Sequence, residues 1–467
     1  MSKHLFPDGF TWGTATSSQQ IEGAVDVDGR GKSIWDHFAG IPGKIKDGSN
    51  ADLACDHYHR WPEDIEQLKW LGLDAYRFSI AWPRILPQGR GQINAAGLDF
   101  YERLVDGLLA ANIEPFPTLY HWDLPQALQD RGGWANRETT DAFCEYTEAV
   151  TRRLGDRVSR WVTHNEPWCI ACLGHEEGAH APGHKNPAEA LVVAHHILLS
   201  HGKAVPIIRR EVKNAEVGIV QIHCPSYPLS DSAGDLDAAR WFDGFFNRWF
   251  MDPIYKGSYP ADVIADRIAA GHLESSELPF VKKGDMDLIS APLDFLGLNY
   301  YSRNVMRKDD LGKRVAVPMV PKEEQTDMGW EVYAAGFLET MMSVNRDYRP
   351  EKIYITENGA AYDYPITDEG RIVDTKRIAY FQDHLKAVHQ AIEFGVPIKG
   401  YFAWSQMDNF EWALGYEKKF GLYEVNRETL DRTPKDSAYW YRDVVATNTV
   451  DDEHTPNIQG ESRVLDA

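Results

Sequence analysis

The sequence predicts an α/β protein folded as a single (β/α)8 barrel of the TIM type, with long loops at the carboxyl-end face. Three observations predict it. Eight short apolar runs, at 10–17, 75–82, 115–121, 160–165, 217–223, 295–301, 353–357 and 398–405, alternate with longer amphipathic stretches. The interiors of those runs are apolar on both faces, as parallel strands buried between two layers must be. No glycine-rich dinucleotide fingerprint follows the first run, which argues against an open doubly wound sheet. The 467 residues fit one barrel, since such barrels run from about 200 to beyond 400 residues with insertions.

The intervening stretches carry helix signals. Pro62-Glu63-Asp64 supplies a first-turn proline and two acids, then Ile65, Leu68 and Leu71 recur at helical spacing. Thr140 and Asp141 are placed as caps of a helix with the apolar stripe Phe143, Tyr146, Val150 and Leu154. Segments 188–210, 334–345 and 375–394 behave similarly. Three segments, 22–57, 226–293 (which holds a helix) and 303–328, are too long and irregular for plain connections, and in a barrel such loops rim the active face. The barrel is assigned to residues 1–447, and the polar tail 448–467 is expected to be poorly ordered.

Lys plus Arg number 49 against 70 Asp plus Glu, a formal net charge of −21. A field of that sign repels phosphate backbones and anionic lipid, so neither nucleic acid nor a membrane surface is an expected partner. No window is expected to reach the roughly 20 apolar residues of a membrane span. The start, Met1 to Pro7, lacks an apolar signal core, and five cysteines make no disulfide framework, so a reducing cytoplasm is the expectation. Cys169-x-x-Cys172 has no second pair nearby and reads as small buried side chains. His57, His59, His195, His196 and His201 lack a metal-binding pattern, so no metal and no organic cofactor is expected.

Barrel enzymes place their chemistry at the carboxyl ends of the strands. Those ends read toward Gln20 after the first run, Tyr120-His121-Trp122-Asp123 after the third and Thr163-His164-Asn165-Glu166-Pro167-Trp168 after the fourth. The sixth, seventh and eighth end in Asn299-Tyr300-Tyr301, Thr356-Glu357-Asn358-Gly359 and Trp404-Ser405-Gln406-Met407-Asp408. Amides, aromatics and acids together suit a neutral polyhydroxy ligand: polar groups fix hydroxyls while rings cover the apolar face of a sugar. A phosphate would instead want amide cradles or clustered Arg and Lys. Glu166 and Glu357 both finish apolar strands, where a carboxylate suffers desolvation unless paired. Glycoside hydrolysis needs such a pair, one protonated and one ionised.

At these residues the sequence resembles glycoside hydrolase family 1, the retaining β-glucosidases and β-galactosidases. The match runs from Phe6 to about Val445 on five ordered motifs: Phe10-Thr11-Trp12-Gly13-Thr14-Ala15-Thr16, Tyr76-Arg77-Phe78-Ser79-Ile80-Ala81-Trp82, Asn165-Glu166-Pro167, Ile355-Thr356-Glu357-Asn358-Gly359 and Met407-Asp408-Asn409-Phe410-Glu411-Trp412. The resemblance implies Glu166 as acid/base and Glu357 as nucleophile, with carboxyls about 5–5.5 Å apart. It implies Asn165 on the sugar 2-hydroxyl, and Gln20, His121, Trp122, Glu411 and Trp412 on the other glycone hydroxyls. Trp404 would floor that subsite, Arg77 and Tyr301 would contact Glu357, and Asn299 and Trp330 complete the binding set, Trp330 beside the aglycone. Trp12, Trp35, Trp82 and Trp168 are left to packing. Three departures, His164 for a common Phe or Leu, Gln406 for Leu and Ala334-Ala335 for Pro-Glu, bear on aglycone preference and on the pKa or orientation of Glu166.

The expected ligands are small β-glucosides and short oligosaccharides, with cellobiose-like substrates cleaved from the non-reducing end. A β-galactosidase or β-fucosidase of the same family remains an alternative, as does a 6-phospho-β-glucosidase, although Glu411 would repel a phosphate. A non-catalytic sugar-binding barrel predicts loss of a carboxylate, and a metal-dependent barrel predicts sensitivity to chelators. The sequence leaves the oligomeric state open, a homo-oligomer included.

Overall fold

In a computed structural model that describes residues 3–451, the eight apolar runs close into one parallel barrel. Its strands are β1 Thr11–Ala15, β2 Ala75–Ser79, β3 Glu114–Tyr120, β4 Arg160–Asn165, β5 Glu216–His223, β6 Phe295–Tyr300, β7 Ile353–Asn358 and β8 Ile398–Trp404. They pair in sequence order, and β8 closes on β1. The second run ends as a strand at Ser79 because Trp82-Pro83 opens a short helix, Trp82–Ile85, with proline in its first turn.

Helices cover the outside. Helix α1, His57–Leu71, starts five residues before Pro62, which therefore lies inside it and not in its first turn. The early start is held by His57, whose Nδ1 meets Asp64 at 2.7 Å. Helix α2 is Ala95–Ala110, and α3 is Glu138–Leu154. Thr140 does not cap α3; the Asn136 side chain accepts from the Glu138 amide at 3.0 Å and Thr140 is buried within the helix. Helix α4, Pro187–Glu211, is long and apolar enough to cross a membrane, against expectation, but 78% of its apolar window is buried and it packs on α3. The segment after β5 carries helices Ala233–Asp243, Trp249–Lys256, Ala261–Ala269 and Asp285–Ile289. Strands Ser226–Pro228, Asn304–Lys308 and Arg314–Ala316 form a small side sheet. Thr449–Asp451, at the start of the expected tail, pairs antiparallel with Lys3–Leu5, which joins the first and last described residues. The rest of the expected tail, from 452, lies outside the described residues.

The barrel interior is packed. Phe116 of β3 sits 5.4 Å from Phe295, 5.4 Å from Tyr354 and 5.1 Å from Phe402, ring centre to ring centre. Glycines make room for these rings: a Cβ on Gly218 would stand 2.4 Å from Phe295, and one on Gly13 2.5 Å from Phe402. The aromatic plug leaves only the strands' carboxyl ends to form a cavity, as barrel interiors are cores and not pores.

Candidate active site

Strict alternation would aim the wrong side chains into the mouth. In β4, Val162 packs in the barrel interior, so His164 should also face in and Asn165 out. A register shift between Val162 and Asn165 reverses this. His164 instead faces the helices, with Nε2 2.8 Å from Ser200 Oγ and its ring stacked on Phe143 at 4.5 Å. It therefore does not adjoin Glu166 as the sequence suggested. Strand β7 repeats the device: Tyr354 is interior, a shift follows Ile355, and Glu357 rather than Asn358 reaches the mouth. Glu166, Trp122 and Trp412 hold φ of +48°, +76° and +49°, left-handed backbone that side chains rarely adopt outside functional sites.

One hydrogen-bond chain links the two glutamates. Arg77 donates from Nη1 to Glu357 Oε1 at 2.6 Å and from Nη2 to Asn165 Oδ1 at 2.7 Å. Tyr301 donates its hydroxyl to Glu357 Oε2 at 2.6 Å. Asn299 donates to Glu166 Oε1 at 2.6 Å and to Asn165 Oδ1 at 3.2 Å, while its own oxygen accepts from Thr356 at 2.6 Å. With both amide hydrogens engaged and no exposure, Asn299 orients Glu166 and is not placed to bind sugar, contrary to the expectation. Trp122 is corrected likewise: its indole N–H donates to the Asn165 carbonyl at 2.9 Å, so it offers a face and no donor to a hydroxyl.

The remaining expected residues gather around this chain. His121 Nε2 lies 3.1 Å from Asn165 Nδ2, which makes it the acceptor and puts its proton on Nδ1, a buried atom without a partner. Burial, then Arg77, hold the His121 ring well below its usual pKa, hence neutral. Trp404 and Trp412 both stack against the His121 ring, at 6.1 and 5.8 Å. Gln20 donates to Asn409 and to the Phe410 carbonyl, each at 2.9 Å, and stands 3.5 Å from Glu411. Trp330 packs 5.3 Å from Tyr301 at the rim.

Electrostatics separates the carboxyls. Burial pushes Glu166 well above the usual carboxylate range and the nearby Glu357 charge pushes further, against hydrogen bonds from Asn299 and Cys169 and the charge of Arg77. Glu411 rises to about 8 through burial, then through Glu357 and Glu166. Glu357, by contrast, carries a guanidinium on one oxygen and a phenol on the other. Burial and the Glu357 charge raise Tyr301 well above its usual pKa, so its proton stays in place to donate. Two carboxyls with opposed surroundings are the arrangement in which one acts as acid and the other as nucleophile or charge stabiliser.

Two contributors escaped the sequence reading. Cys169, dismissed as a small buried residue, donates its thiol to Glu166 Oε2 at 3.1 Å. The signal was its spacing, three residues on, with the Cys169 amide 3.0 Å from the Glu166 carbonyl in the turn that opens the π-helical segment Cys169–Glu176. His180 packs behind the mouth, 5.5 Å from Trp122 and 5.2 Å from Trp35, whose ring lies 4.7 Å from Trp412. Gln406 reaches outward to the Asp64 carbonyl of α1 at 3.2 Å, and Ala334-Ala335 simply opens the helix Ala334–Tyr348, so neither lies in the mouth.

Known proteins resemble this chain in sequence and fold over nearly its whole length. The sequence pattern of Glycosyl hydrolase family 1 matches residues 2–450. Beta-glucosidase A of Acetivibrio thermocellus is 49% identical over 451 residues, 96% of this chain and 100% of that protein. The 1,4-beta-D-glucan glucohydrolase of Thermotoga neapolitana is 46% identical over 449 residues, 96% of this chain and 99% of that one. The solved family 1 b-glucosidase from Thermotoga maritima superposes with a TM-score of 0.92 at 46% identity, covering 97% of this chain and 100% of its own. Sequence and barrel both agree with these matches: the chain belongs to glycosyl hydrolase family 1.

Proposed function

We propose that the protein is a retaining β-glucosidase that releases terminal β-D-glucose from cellobiose-like oligosaccharides and aryl β-glucosides, with Glu357 as nucleophile and Glu166 as acid/base. The observation that carries the reading is the unequal pair: Glu166 is pushed toward its neutral form while Glu357 is held by Arg77 and Tyr301. Glu357 attacks the anomeric carbon as the carbon–oxygen bond to the aglycone breaks, and the Glu166 proton passes to the departing oxygen. The ester so formed takes away the Glu357 charge, the second cause of the raised Glu166 pKa, so Glu166, which has just given up its proton, stays ionised and is available as the base. It removes a proton from water, whose oxygen attacks the anomeric carbon on the face the aglycone left, opposite the ester, as the bond to Glu357 breaks; the two inversions retain the configuration.

Glucose as the glycone is supported by the names of the relatives, and an unphosphorylated sugar by a carboxyl, and not a cation, at Glu411 beside Gln20. The five free cysteines fit a reducing cytoplasm as the working compartment. The reading is tested with a 2-deoxy-2-fluoro β-glucoside bearing a good leaving group, followed by peptide mass mapping. Label on the peptide containing Glu357 is expected; turnover with label on another residue overturns the assignment.

A further inference from the structure

Behind the mouth, the chain leaves the π-helical segment at His175, loops through His180 and returns at His184 before α4 begins. Backbone bonds tie the two limbs: His184 donates to the Gly174 carbonyl at 3.0 Å and Asn186 to the His175 carbonyl at 2.7 Å. The two rings meet at 5.1 Å, nearly perpendicular at 85°. Both then point Nδ1 at one atom, Oε1 of Glu189, at 2.7 Å from His175 and 2.6 Å from His184. Glu189 sits in the first turn of α4, its amide held by the Asn186 side chain at 3.2 Å.

We propose that His175, His184 and Glu189 form a binding site for a divalent cation of the zinc class, which closes the 175–184 loop behind Trp122. The argument is one of donor type and reach. Two imidazole nitrogens and one carboxylate oxygen make a set that zinc accepts with water in the fourth position, and that magnesium or calcium, which prefer oxygen, do not. The three ligand atoms already lie within 4.8 Å of one another. Zinc–ligand bonds of about 2.0–2.1 Å place tetrahedral ligands about 3.3 Å apart, so the two contacts to Glu189 need open by under about 1 Å while the two imidazole nitrogens settle at the same spacing. Coordination takes the Nδ1 lone pair of each ring, and the ring proton then resides on Nε2.

Access and anchorage are divided between the two histidines. His175 is buried and fixes one ligand, whereas the His184 side chain is 42% exposed and opens the site to solvent. The consequence reaches the mouth because the loop carries His180, whose ring lies 5.5 Å from Trp122 and 6.4 Å from Trp412. A cation that pins both ends of the loop therefore stiffens the wall on which those rings rest. Neither hydrolysis nor Glu166 depends on it, so this site and the proposed function stand or fall separately.

The test is isothermal titration calorimetry of the full chain, stripped with chelator and desalted, with zinc chloride as titrant. One zinc per chain is expected, accompanied by a change in tryptophan fluorescence and a rise in Tm. His184→Ala and Glu189→Gln should weaken that binding by at least about tenfold and abolish the fluorescence change. His59→Ala, which removes an exposed histidine hydrogen-bonded to Asp56, should leave both intact. Magnesium should not compete. Wild-type stoichiometry and affinity in His184→Ala, or no uptake by the wild type with zinc in several-fold excess, overturns the proposal and leaves a hydrogen-bonded clip.

Discussion

At the amino-terminal ends of the barrel strands, Arg160 meets Glu114 at 2.6 Å and Glu216 at 3.2 Å, and Lys352 meets Glu216 at 2.6 Å. At the carboxyl ends a single guanidinium, Arg77, serves Glu357, with Glu166 and Glu411 close by. The bottom matches cations to acids and the mouth does not. The effect is visible at each acid. Burial works against ionisation of Glu216, yet Lys352 and Arg160 hold it below the usual range. Glu114, which burial raises, has only Arg160 to oppose it and stays high. In the mouth burial prevails for Glu166 and Glu411. Cations per carboxylate, and not acidity of the sequence, separate a structural ion cluster from a reactive one.

The largest effect should come from the mouth. Glu357→Ala is expected to lower kcat on nitrophenyl β-glucoside by about 10⁴-fold or more, because no other group can form the ester. Glu216→Ala at the other end should leave kcat within about twofold, since no group of the site touches it. Equal losses in the two variants would mean that the charge imbalance of the mouth has no catalytic content.

Next in size is a change of stability. A free glutamate titrates near pH 4.3, whereas folded Glu411 is raised to about 8. Between those values the folded state binds the proton more tightly than the unfolded one, so stability declines as pH rises through the window and does not return above it. Glu411→Gln removes the penalty. At pH 7 the variant should be more stable in urea by about 1–2 kcal/mol, a figure reduced for partial solvent screening, and the gain should vanish near pH 4. Its kcat/KM should fall, as expected where a site retains an unfavourably buried acid for its ligand.

The barrel itself was legible because eight runs apolar on both faces leave few other architectures, and all eight became its strands. The aim of individual side chains was not. Period-two reading puts His164 in the mouth and Asn165 on the outside, and the register shift that exchanges them has no residue signature at Val162 or Thr163. Hydrogen-bond capacity was equally hidden: Trp122 and Asn299 sit where expected, yet protein partners already occupy their donors. The Cys169 thiol was missed for the opposite reason, a common residue type whose meaning comes only from the turn that lays it on Glu166.

That thiol sharpens the comparison on a finer scale. The bonds from Asn299 and Cys169 favour ionised Glu166, so removing either raises its pKa. The acid form then persists to higher pH, and the basic limb of kcat/KM should move up by about 0.5–1 unit in Asn299→Ala and by less in Cys169→Ala, a weaker donor. A purely structural role for these residues would lower kcat and leave the limb in place.

The smallest effect is the one that tests the matched end of the barrel directly. Folded Glu216 lies below its unfolded pKa, so its ion pairs contribute above about pH 4.3 and are lost as pH falls through the folded value. Its side chain is 28% exposed, which places the contribution near that of a surface pair, about 0.5–1 kcal/mol. Glu216→Gln should therefore destabilise the protein by that amount in urea at pH 7, less in high salt, with kcat/KM unchanged. The same substitution, Glu to Gln, in the same barrel then carries opposite signs: it weakens the fold where two cations surround the acid and strengthens it at Glu411, where none does. A loss of stability at both ends would show that the surroundings of Glu411 favour its carboxyl and that burial does not penalise it, and the contrast between the two ends of the barrel would have to be redrawn around Glu166 alone.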